Sequence, residues 1–293
     1  MTAEGLQAEQ DSGKADGKEQ MLKDMTLGQY YPGDSIIHRL DPRVKLLGTL
    51  VFIISLFAFS SVSTYLVATA VILIVVGVST VPLKYILKGL RPIFTLMLIT
   101  VIFNLFLTPG TVLVRFWKLT ITAEGLKMAI HMAVRLTYLI IGSSILTFTT
   151  TPNALTDGLE TGLRFLNVFH VPVHEVAMMM SIALRFIPIL MDETDKIMRA
   201  QEARGADFHS GGVIKRAKAM VPLLVPLFVS AFRRANDLAM AMEARGYHGG
   251  EGRTKMKPLI YHRRDHAAYL SMAVYILAMV LVDRYAKISL WIL

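Results

Sequence analysis

Residues 46–59, LLGTLVFIISLFAF, continue through 60–64, SSVST, into 65–78, YLVATAVILIVVGV, and this stretch decides the fold. About 20 apolar residues cross a bilayer once; this stretch exceeds 30, so it reads as two spans folded back on a short polar turn. Just upstream, Asp41-Pro42-Arg43 has the form of a helix start. Asp41 is placed as N-cap and Pro42 at the first helical position, where a backbone N–H has no intrahelical partner anyway. Three further spans are expected: about Pro92 to Leu107, closed by the turn Thr108-Pro109-Gly110; Ala123 to Thr149, entered from Thr122 as N-cap; and about Ala267 to Val282. The expected fold class is all-α, a polytopic membrane protein with about five transmembrane helices.

Composition agrees. The 293 residues are 54% hydrophobic and 18% charged, with a mean hydropathy of +0.50. Soluble domains carry about a quarter charged residues, so an ordinary soluble enzyme and a disordered chain are both excluded. The 31 Lys and Arg exceed the 22 Asp and Glu, giving +9. Such an excess serves nucleic acid, an anionic bilayer or an acidic partner; in a polytopic chain no nucleic acid is expected. With no Cys there is no disulfide, thiolate metal site or thiol nucleophile.

Residues 1–24 are polar and mixed in charge, as in a disordered tail, and a cleaved signal peptide is not expected. Residues 25–150 are expected to form a membrane domain of four spans, 151–264 a cytoplasmic region, and 265–293 the last transmembrane helix. On alternate sides of this scheme, 25 Lys and Arg face only six: Arg115, Lys118, Lys127, Arg135, Arg284 and Lys287. The positive-inside rule therefore places the N-terminus in the cytoplasm and the C-terminus outside. Arg135 lies within the fourth span and is expected to snorkel or to face other helices, as is His131 one turn earlier.

The region 151–264 carries two long helical patterns, about His174 to Ala206 and about Gly212 to Tyr247. Each opens apolar and becomes amphipathic; Ile187, Leu190, Met191, Thr194, Ile197 and Met198 follow helical spacing in the first. Both end on nearly one word, Ala200-Gln201-Glu202-Ala203-Arg204-Gly205 and Ala241-Met242-Glu243-Ala244-Arg245-Gly246. Helix capping, with Gly at C′ and Arg against the negative end of the dipole, explains one copy well and two matched copies poorly. A tip of Ala, Arg and Gly is slim enough to enter a groove, where the guanidinium offers a carboxylate a planar fork. Two such tips imply two similar grooves on related subunits. If both apolar parts crossed the bilayer, the tips would face opposite sides. The stretches Val176 to Met191 and Ala219 to Phe232 are also short for spans and are interrupted by Arg185, Pro222 and Pro226. Both helices are therefore expected at the cytoplasmic interface.

The chain resembles the EcfT family, the transmembrane coupling subunits of energy-coupling factor (ECF) transporters. The resemblance rests on Gly28-Gln29-Tyr30 through Pro32-Gly33-Asp34-Ser35, on His38-Arg39-Leu40-Asp41-Pro42-Arg43, on Asn104-Leu105-Phe106 with Pro109-Gly110, and on the two Ala-Arg-Gly motifs, the second followed by Gly249-Gly250-Glu251-Gly252-Arg253-Thr254. It implies a bacterial plasma-membrane subunit that joins two cytoplasmic ABC ATPases to a small substrate-binding membrane protein, the S component. Ala203, Arg204 and Gly205, and likewise Ala244, Arg245 and Gly246, would each engage one ATPase. Motion driven by ATP would then pass through the long helices to the vitamin-binding subunit.

No catalytic residue, cofactor or metal is expected. A Walker A motif is absent, so ATP hydrolysis would belong to the partners. His170 and His174 have a helical metal spacing, but Pro172 lies between them. The cluster His262, Arg263, Arg264, Asp265 and His266 reads as headgroup anchoring. The competing reading, a membrane enzyme acting on a lipid or polyprenyl phosphate, needs facing acidic clusters. Asp192, Glu193 and Asp195 supply only one.

Overall fold

The computed structural model describes residues 30–292 other than 60, 117, 118, 207, 209–211, 251–255 and 257. The tail assigned to 1–24, Gly28-Gln29, Lys118 and residues 251–254 lie outside the described residues. In chain order the elements are α1 (Pro42–Ala58), α2 (Val62–Ser79), α3 (Leu83–Leu107), β1 (Val112–Phe116), β2 (Leu119–Thr122), α4 (Ala123–Thr149), α5 (Pro152–Gly162), a 3-10 turn (Arg164–Phe169), α6 (Val173–Ala203), α7 (Val213–Ala244) and α8 (Arg263–Ile292). The chain divides into two compact units, one ending at Leu159 and resuming over Leu259–Leu293, the other Glu160–Pro258.

Local chemistry sets the starts and stops of the first unit. Asp41 caps α1, its carboxylate accepting the Arg43 amide at 2.9 Å, with Pro42 first in the helix. Thr122 caps α4 through Oγ1, which accepts the Gly125 amide at 3.0 Å. Both caps match the sequence expectation. The antiparallel hairpin β1–β2, with Val112 opposite Thr122, is an addition to that expectation; its Val, Leu, Ile and Thr residues suit a pleated ribbon. In α3, Leu83–Leu90 and Ile93–Leu107 meet at 57°, a bend that falls at Arg91-Pro92. Proline has no backbone N–H to donate, so one helical hydrogen bond is missing at this position.

The buried core joins Phe52 and Leu56 of α1 to Tyr65, Ala68 and Ile72 of α2 and to Tyr275 and Met279 of α8, with Val134, Tyr138 and Leu139 of α4 packed against it. Ser55 and Tyr275 share a buried hydroxyl–hydroxyl bond of 2.6 Å. Outward-facing Ile54, Leu66 and Leu73 are each more than half exposed, an arrangement suited to lipid rather than water. Along α8, buried Asp265 and buried Asp283 bracket the apolar stretch. Their separation of 18 positions is about 27 Å, close to the thickness of a hydrocarbon core. Asp283 Oδ1 accepts from Ser61 Oγ at 2.7 Å, just before α2. Arg135 lies near that same end, inside the bundle as expected: its Nε donates to Tyr65 Oη at 2.9 Å and its guanidinium lies 5.4 Å from the Phe57 ring centroid. His131 sets its ring edge-on to Tyr65 at 4.6 Å, with Nε2 buried and unpartnered among the described residues.

Four described helices are long and apolar enough to cross a membrane, namely α2, α4, α6 and Arg263–Tyr285 of α8, or five with the bent α3. The count agrees with about five, but the membership differs. At 17 residues α1 is short for a crossing, whereas α6 qualifies. Sequence alone starts the apolar part of α6 at Val176; the helix begins at Val173 and continues through Pro188, which lengthens the window.

Candidate functional site

The two matched words close their helices with the same backbone geometry. At the first, the Gly205 amide donates to Glu202 O at 2.9 Å and the Ala206 amide to Gln201 O at 3.0 Å. At the second, the Gly246 amide donates to Glu243 O at 2.8 Å and the Tyr247 amide to Met242 O at 3.0 Å. Each is a Schellman motif, in which the turn back to the third-last helical residue requires a left-handed C′ position. Glycine holds it in both, at φ +90° for Gly205 and +69° for Gly246. The capping explanation is therefore correct for both copies, and it presents Arg204 and Arg245 as equivalent last residues.

Ala203, Arg204 and Gly205 are exposed, and so are Ala244, Arg245 and Gly246. Neither guanidinium has a side-chain partner among the described residues. The small alanines keep the tips narrow, while the fixed turn projects one planar cation from each. A free guanidinium in this position is a bidentate donor for a carboxylate.

α6 and α7 meet well before their tips. Ile182, Phe186 and Leu190 of α6, with Ala231, Ala235, Leu238, Ala239 and Met242 of α7, line a cavity of about 280 Å³. Beside it Arg234 Nη2 pairs with Glu193 Oε2 at 3.2 Å. Because Arg234 meets Glu193 while residues as late as Met242 share the cavity with residues as early as Ile182, the helices run through the crossing in opposed senses. Glu193 and Arg234 are 41 positions apart, the same offset that separates Arg204 from Arg245. The ion pair thus joins equivalent positions of the near-repeat, as in a local pseudo-twofold arrangement. Each tip lies 11 residues, about 16 Å, beyond its half of the pair. Sequence reasoning does not single out this pair; the offset of the two tip words is the signal that could find it.

The other sequence candidates have structural roles. His170 ends the 3-10 turn at φ +60° and His174 lies within α6, so the two do not share a helix. His174 Nδ1 lies 2.9 Å from Glu160 Oε1, and the chain after the second tip returns to its ring at Gly250. Asp265 reaches back to close the start of α8, its Oδ2 accepting the His262 amide at 2.8 Å. Among the described residues no three His, Cys, Asp or Glu side chains form a metal-holding group.

Residues 33–256 match the CbiQ family, described as cobalt transport protein. Among curated proteins, the energy-coupling factor transporter transmembrane protein EcfT of Clostridium kluyveri is 57% identical over 256 residues, covering 87% of this chain and 95% of that protein. EcfT of Ruminiclostridium cellulolyticum is 53% identical, covering 84% and 92%, and EcfT of Bacillus subtilis is 48% identical, covering 87% and 96%.

Proposed function

The chain belongs to the CbiQ family, among its EcfT-type transmembrane components of ECF transporters, and from this membership we propose that it is the subunit that couples two ABC ATPases to a substrate-binding membrane protein. The observation that carries the proposal is the pair of equivalent Arg-Gly tips on opposed helices. A pair of homologous ATPases is itself related by a twofold or pseudo-twofold axis, so tips related in the same way about Glu193 and Arg234 can enter one groove on each. In each groove Arg204 or Arg245 engages a carboxylate, flanked by Ala203 and Gly205 or by Ala244 and Gly246.

The rest of α6 and α7 offers a surface of a different kind. Met179, Met180 and Met191 on α6, and Met220, Phe228, Phe232 and Met240 on α7, are exposed. Such a surface suits a small membrane subunit, and flexible Met side chains can repack against alternative partners. α6 is long and apolar enough to cross a membrane, but the opposed tips must both reach the cytoplasmic ATPases, and a crossing would part them. Both helices therefore lie along the cytoplasmic interface, and with α1 counted as a crossing the 25 against six basic residues favour the same side for the N-terminus. The 16 Lys and Arg against 11 Asp and Glu of residues 150–264 suit acidic grooves and anionic headgroups.

The test is a pull-down of tagged chain from its native membrane, solubilised in mild detergent. Wild type is expected to retain two ATPase subunits, and Arg204→Glu combined with Arg245→Glu to lose both. Equal retention by the two forms would reduce the arginines to helix-end charges.

A further inference from the structure

The two chain passages on either side of residues 160–258 are fastened to one point, the first turn of α1. On the outgoing side Gly158 lies so close that a Cβ there would stand 2.9 Å from Pro42 Cβ and 3.3 Å from its carbonyl carbon. On the returning side Arg43 Nη2 donates to Leu259 O at 3.2 Å, and its guanidinium carbon stands 3.9 Å from the centroid of the Tyr261 ring. The guanidinium is held by a fork to Asp41, Nε to Oδ1 at 3.0 Å and Nη2 to Oδ2 at 2.8 Å. Asp41 in turn donates its amide to Asp265 Oδ1 at 2.9 Å, at the start of α8. Lys45 Nζ donates to Thr149 O at 2.8 Å, at the end of α4, and to His38 O at 3.0 Å. Asp41, Lys45 and Asp265 are each less than a tenth exposed.

A buried polar network of this size is a poor way to gain stability, because apolar packing of the same volume would serve as well or better. Its particular property is direction: a planar fork, a stacked ring and single-acceptor bonds fix relative position in a way that the apolar bundle core does not. We propose that Asp41, Arg43 and Asp265 are positioning residues that hold the returning passage of the 160–258 insertion against the turn of α1 on which the outgoing passage packs at Pro42, so that the two passages share one fixed point of the bundle and motion of the insertion is delivered to the membrane unit and not lost at its joints. The delivery half of this inference rests on the coupling function proposed above; the fixed-point half does not.

Arg43→Lys tests it, since the charge stays while the fork and the flat stacking face are lost. The chain has no native Cys, so nitroxide labels on Leu159→Cys and Ile260→Cys report the distance between the two passages. In the full-length wild type a single narrow distance is expected, and Arg43→Lys should broaden it. In the ATPase-containing complex in liposomes, ATP hydrolysis should stay within about twofold of wild type. Uptake of labelled riboflavin, folate, biotin or cobalt ion, whichever wild type imports, should fall about tenfold, the loss expected for a charged hydrogen bond. Tyr261→Leu, which removes only the stacking face, should give a smaller effect of the same kind, and it carries the test if Arg43→Lys fails to insert. A narrow distance in the variants overturns the fixed point, and hydrolysis falling in step with uptake overturns the delivery role. If wild type recruits no ATPase, the coupling function fails by itself, while the distance measurement still decides the fixed point.

Discussion

Replacing Gly205 or Gly246 by Ala isolates the backbone requirement of the tips. At both positions an added methyl would find open space, with nothing within 4 Å. The penalty is then conformational: an L residue held in the left-handed region costs about 1–2 kcal/mol relative to glycine. That free energy raises the opening constant of the Schellman turn by roughly 5–30-fold. Amide hydrogen exchange reads this constant at Ala206 and Tyr247, whose N–H groups close the turns on Gln201 O and Met242 O. The Ala206 amide should exchange about tenfold faster in Gly205→Ala, and the Tyr247 amide likewise in Gly246→Ala. Asn tolerates the left-handed region better than other side chains and β-branched Val tolerates it worst, so the order of exchange rates should be Gly, Asn, Ala, Val. Unchanged exchange in the Ala variants would refute the reasoning, as would Asn exchanging no more slowly than Val.

Gly250 presents the opposite case, because a Cβ there would collide with His174 Cδ2. Gly250→Ala should push the ring away from Glu160 at a cost of about 1–3 kcal/mol, seen as shifted imidazole resonances for His174 with unchanged exchange at Ala206. Thr122→Ala should destabilise the start of α4 by about 1 kcal/mol while Thr122→Ser retains the cap, as measured by thermal unfolding in detergent. Burial pushes the Asp41 carboxyl up, but hydrogen bonds from the Arg43 guanidinium and amide outweigh it and hold the group below its usual value. Its contribution should therefore be complete above about pH 4 and be lost as pH falls through the lower native pKa. Thermal midpoints recorded on acidification should show this limb in wild type, with a shallower one in Asp41→Asn.

The near-identity of the two tip words is legible in the sequence because both the capping rule and the repeat are local. A Schellman turn needs only glycine at C′ and the helix before it, and six residues carry all of that information. The same locality makes Asp41, Pro42 and Thr122 readable as helix starts. Expectation fails where a length depends on distant context. Read from sequence, the apolar window of α6 is too short because it starts at Val176 and counts Arg185 as an interruption, whereas the helix runs unbroken from Val173 to Ala203. The hairpin of β1 and β2 is hard to see because its strands are short and follow directly on a long helical pattern.

By itself the sequence determined the all-α membrane class, the helix starts and the paired tips, since each follows from runs, caps and repeats within a few turns of chain. Tertiary structure alone decided that Glu193 of α6 meets Arg234 of α7, that the two helices cross in opposed senses, and that Asp41 reaches Asp265 across 224 positions, beside Pro42 where Gly158 packs and Arg43 where Leu259 is held. These contacts join residues whose spacing in the chain carries no periodicity. They are fixed only when the helices pack and each buried polar group takes the partner that packing brings within reach.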